Sequence, residues 1–74
     1  MGRWMSHKER LETVLLVLRS VASGRFRKKW DACRAVGINP YSFASMHKTA
    51  IKYVEREGIE LTEEDRRLLY GDDS

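Results

Sequence analysis

Lys29-Trp30-Asp31-Ala32-Cys33-Arg34-Ala35-Val36-Gly37-Ile38-Asn39-Pro40-Tyr41-Ser42-Phe43-Ala44-Ser45-Met46-His47-Lys48 is the stretch on which the fold turns. Two helix signals adjoin in its middle. Gly37 accepts the left-handed conformation that ends a helix. Two residues later Asn39 and Pro40 stand where an N-cap and a first helical residue are favoured. The spacing predicts one helix ending at Val36 and another beginning at Pro40, joined by a very short turn. Backwards from Gly37, Phe26, Trp30 and Cys33 recur at i, i+4 and i+7. That predicts a helix from about Arg25 with these three on its buried face. Forwards, Phe43, Met46, Ala50 and Val54 mark the buried side of a helix that runs to about Glu57, with Gly58 as its stop.

Outward from this pair, Ser6 and Glu9 have the spacing of a capping box, in which hydroxyl and carboxylate each bond the other residue's backbone N–H. Leu11, Val14, Leu15, Leu18, Val21 and Ala22 follow at helical intervals until Ser23-Gly24. Leu16 and Val17 fall off this stripe, and a helix with apolar residues on both sides needs two partners. Near the end of the chain Thr62 caps a short helix whose first turn, Glu63, Glu64 and Asp65, suits the helix dipole. Leu68, Leu69 and Tyr70 complete it before Gly71. With no strand pattern, the expected fold is an all-α, four-helix single domain over residues 1–74. Residues 1–5 are expected to form a flexible arm and residues 71–74 a frayed tail.

Charge divides the chain. Residues 24–56 carry eight basic and two acidic side chains, whereas residues 57–74 carry two basic and seven acidic ones. A concentrated cationic block in a small domain points to a polyanionic partner. The single cysteine, Cys33, has no disulfide partner and no companions for a Cys-based metal site. The longest unbroken apolar run, Val14 to Leu18, is far too short to cross a bilayer. Met1 to Met5 lacks the apolar segment of a signal peptide, and Gly2 followed by bulky Arg3 is a poor myristoylation site. The expected setting is therefore cytoplasmic, without membrane attachment.

Residues 29–48 resemble the twenty-residue helix-turn-helix of phage repressors, resolvases and transposases. The resemblance lies in Ala32 and Cys33 where the helices touch, in Val36, Gly37 and Ile38 at the turn, and in Phe43 and Met46 on the second helix. Cys33 replaces the usual alanine, and Phe43 is bulkier than the common valine or isoleucine. The resemblance implies sequence-specific binding of double-stranded DNA and a role as a small regulator, repressor-like, of a microbe, phage or plasmid.

In such motifs the N-terminal part of the second helix reaches base edges in the major groove. With Phe43 at the centre of the buried side, the opposite side carries Tyr41, Ser45, Lys48, Thr49, Lys52 and Arg56, polar and free of carboxylates. Asn39, Tyr41, Ser42, Ser45 and Lys48 are the candidate base readers, with Tyr41 suited to a thymine methyl, a phosphate or local packing. Lys52 suits a phosphate. Arg25, Arg27, Lys28 and Lys29, at the start of the preceding helix, are candidate phosphate contacts that set register without reading sequence. Arg3 and Trp4 lie in the N-terminal arm.

A small core gains from association, and two half-sites one helical turn apart raise specificity. A homodimer is expected on that ground, with Leu16, Val17, Leu68 and Leu69 as candidate contacts. The opposing arrangement is a closed monomer in which the last helix folds back on the first. An enzyme is not expected: His7 and His47 lack a neighbouring acid or nucleophile at a telling spacing, and Cys33 sits in the helix–helix seam. No Gly-rich phosphate loop, HExxH or CxxC occurs, so neither cofactor, metal nor small-molecule substrate is expected. The alternative function is a helical adaptor or inhibitor that binds another protein and no DNA.

Overall fold

The computed structural model describes residues 6–71, which form four helices: α1 (His7–Ala22), α2 (Lys29–Val36), α3 (Pro40–Glu57) and α4 (Glu63–Tyr70). The protein is all-α, and no strand occurs among the described residues. The proposed arm at residues 1–5, including Arg3 and Trp4, lies outside the described residues, as do residues 72–74 of the tail.

Each helix begins or ends where local chemistry directs. Ser6 and Glu9 form the reciprocal capping box, with Ser6 N–H donating to Glu9 Oε1 at 3.0 Å and Glu9 N–H to Ser6 Oγ at 3.1 Å. Asn39 Oδ1 accepts from Tyr41 N–H at 2.9 Å, and Thr62 Oγ1 accepts from Asp65 N–H at 3.1 Å. Between α2 and α3 the chain turns within three residues, Gly37 to Asn39. Gly37 takes φ 97°, and the N–H groups of Gly37 and Ile38 both bond the Cys33 carbonyl at 2.9 Å.

One expected boundary moves. Helix α2 starts at Lys29 rather than near Arg25. The N–H groups of Arg25 and Phe26 both point back to the Ser20 carbonyl, at 3.0 and 3.3 Å, so this backbone closes α1 instead of opening α2. Phe26 thus lies in the connecting loop, half-buried against the core. The apolar side of α2 is then set by Ala32, Cys33 and Val36. Trp30 lies about a third of a turn away from it and is 43% exposed instead of buried.

Helix α1 is the hub, packing against α2, α3 and α4, most extensively against α3. Leu11, Val14, Leu15, Val17 and Leu18 join Ala32, Cys33, Phe43, Ala50, Val54 and Leu69 in one core. The two-sided apolar character of α1 is therefore used within the chain. Val17 and Leu69, expected at a subunit contact, have no accessible surface, and Leu68 is half-buried. Of the four candidates only Leu16, at 46%, is exposed.

Polar bonds fix α4 on this core. Arg19 Nε and Nη2 donate to Asp65 Oδ1 and Oδ2 at 3.0 and 2.5 Å, a two-pronged pair in which Asp65 is buried. His47 Nε2 donates to the Leu69 carbonyl, which ties α3 to the far end of α4.

Candidate nucleic-acid interface

The core-facing side of α3 determines what its other side shows. Phe43, Ala50 and Val54 are buried, with Met46, His47, Ile51 and Tyr53 half-buried beside them. Tyr41, Ser45, Lys48, Lys52 and Arg56, at intervals of four and three, form the opposite exposed row. The row holds no carboxylate. Glu55 lies next to it and leans toward α4, where its Oε2 accepts from the Tyr70 hydroxyl at 3.4 Å. Arg56 approaches Glu57 at 3.8 Å, whereas Lys48 and Lys52 make no ion pair among the described residues.

The other expected readers divide. Ser42 and Ser45 are exposed. Asn39 is exposed too, but its side-chain oxygen caps α3, which leaves its amide nitrogen for any outside contact. Thr49 is half-buried and its hydroxyl donates to the Ser45 carbonyl at 3.0 Å.

Arg25, Arg27, Lys28 and Lys29 are all exposed and make no ion pair among the described residues. Because α2 starts at Lys29, the first three precede the helix and do not occupy its first turn. Lys28 is the N-cap, in extended conformation, and makes no side-chain capping bond. Cations thus gather at a helix start whose N–H groups have no side-chain acceptor from the cap, where an external anion would be favoured.

Helices α2 and α3 meet at their surfaces through Trp30 and Tyr41, whose ring centres are 5.0 Å apart at 83°, edge to face. Tyr41 is 80% exposed, the most exposed of the large hydrophobic residues among the described residues. The residue pattern did not point to this pair. Its only signal is the position of Trp30 relative to Ala32, Cys33 and Val36, which becomes readable once the true start of α2 is known.

The remaining singled-out side chains are structural. Cys33 is buried in the core, and desolvation pushes its thiol pKa up, against an opposing influence of Lys29. His47 packs against Phe43 at 5.7 Å between ring centres. The acidic end of the chain borders a cleft of about 440 Å³ lined by Val54, Ile59, Glu60, Leu61, Arg66 and Tyr70. No helix among the described residues is long and apolar enough to cross a membrane.

No family model matches the chain, and neither a curated protein nor a solved structure resembles it closely enough to count as a match.

Proposed function

We propose that the chain binds double-stranded DNA sequence-specifically, with α2 and α3 acting as a helix-turn-helix and α3 as the reading helix. Its role would be that of a small repressor-type regulator. The observation that carries this reading is the outward row of α3. Tyr41, Ser45, Lys48 and Lys52 present two hydroxyls, an aromatic ring and two ammonium groups that make no ion pair among the described residues, with no carboxylate among them. A helix side meant for water alone commonly mixes both signs of charge. Arg25, Arg27, Lys28 and Lys29 extend the cationic surface to the start of α2, the place for phosphate contacts in this mode of docking.

One copy of the chain closes its own core, so the reading does not depend on a subunit contact. A dimer, where DNA assembles one, would draw on Leu16 and the exposed edge of Leu68. The competing reading, an adaptor for another protein, is favoured by the cleft between α3 and α4. Selection from a random duplex pool separates the two. The DNA reading predicts enrichment of a defined sequence that then binds more tightly than the pool, and failure to enrich any sequence speaks for the adaptor.

A further inference from the structure

Trp30 and Tyr41 are large aromatic side chains left at the surface of a chain with a small core, and they touch each other across two helices. Tyr41, the second residue of α3, is 80% exposed, and its hydroxyl bonds nothing among the described residues. Water does not reward such a display. The edge-to-face contact with Trp30 at 5.0 Å fixes the direction of the ring, and contacts of this geometry are favourable. The ring is therefore presented with Trp30 as its support.

The surroundings define what the ring meets. Lys28 and Lys29 precede Trp30, and Ser45, Lys48 and Lys52 continue from Tyr41 along α3. Asp31 is the one carboxylate of α2. An apolar ring set among hydrogen-bond donors complements a surface that offers a small apolar group beside acceptor atoms. In the major groove of duplex DNA thymine has that composition, a C5-methyl next to the O4 acceptor. A phosphate alone would use the cations and leave the ring without a role.

Resting on the duplex-DNA reading above, we propose that Tyr41 is a specificity-determining residue that packs on a thymine methyl group, with Trp30 as the positioning residue that holds its ring. Binding would then discriminate thymine from uracil at one base pair of the preferred site.

The test starts from the sequence selected out of a random duplex pool. Each thymine is replaced in turn by deoxyuridine, which removes the methyl and nothing else, and affinity is read by fluorescence anisotropy. One position should lose about fourfold in affinity, the worth of one buried methyl-sized group. Tyr41→Phe should keep this discrimination, and Tyr41→Ser should bind the two duplexes equally. Trp30→Ala should reduce the discrimination while its circular dichroism stays that of a folded helical chain. Duplex binding that ignores every thymine methyl, or a Tyr41→Ser protein that still discriminates, overturns the proposal and leaves the duplex-DNA reading intact. Tighter binding to the single strand than to the duplex also overturns it, because it makes the pair a stacking platform for bases. Failure to bind any duplex in a salt-dependent way overturns the duplex-DNA reading and this proposal together.

Discussion

Gly37 stands at φ 97° with nothing within 4 Å of where a Cβ would lie. Alanine there meets no neighbour, so its cost is conformational alone, about 1–2 kcal/mol. Phe43 is the opposite case. It is 6% exposed in the core, and Phe43→Ala should cost about 3–5 kcal/mol. Urea unfolding of both variants measures these costs, and a Gly37→Ala loss as large as that of Phe43→Ala would contradict the geometry. At this scale the sequence was legible wherever a residue's role follows from its neighbours in the chain, as at Ser6, Gly37 and Asn39. It was not legible for Trp30 or Asp65, whose partners Tyr41 and Arg19 come from other helices. Composition and period say that such residues need an explanation, but they do not name the partner.

Helix α3 was readable at both ends because Asn39-Pro40 and Gly58 are local signals, and its outward row followed from the period. Helix α2 began late because the Arg25 and Phe26 N–H groups are taken by Ser20, a contact invisible to periodicity. The division of labour between the two elements is testable. Ser45→Ala or Lys48→Ala should relax preference at particular base pairs by about 1–3 kcal/mol, whereas Arg27→Ala or Lys28→Ala should weaken all duplexes alike. Equal effects of both sets on selected and random DNA would remove α3 as the reader. Helix α4 is held in part by one buried carboxylate. Its hydrogen bonds to Arg19, above all, hold the Asp65 carboxyl below the usual carboxylate range, against the opposing effect of burial. Between the folded and unfolded pKa values the unfolded chain binds more protons, so stability rises with pH there. This contribution is complete above an unfolded value of about 3.9 and is lost as pH falls through the lower folded value. Thermal unfolding of the parent should therefore fall toward that of Asp65→Asn as the pH drops below about 4. A gap between the two proteins that persists unchanged at pH 2 would contradict this account of α4.

At the scale of the whole molecule, α1 is shared by the other three helices, and its second apolar side is what the sequence left open. Periodicity shows that a two-sided helix needs two partners, but not whether they belong to the same chain. Val17 and Leu69 answer that, since both are fully buried within one copy. Sedimentation equilibrium of the 74-residue chain at tens of micromolar should accordingly give a mass near 8.7 kDa, and a stable dimer mass would show that Leu16 and its surroundings form a subunit contact. Charge is likewise arranged over the whole molecule, cationic through α2 and α3 and acidic beyond Gly58. The most direct test of duplex-DNA binding is the affinity for a random-sequence duplex between 50 and 200 mM salt. Each phosphate neutralised contributes about −0.9 to the slope of log affinity against log salt. With Arg25, Arg27, Lys28, Lys29 and Lys52 as the phosphate contacts, the slope should be about −4.5. A chain that binds no duplex at 50 mM salt, or whose affinity stays constant across this range, would contradict the assignment.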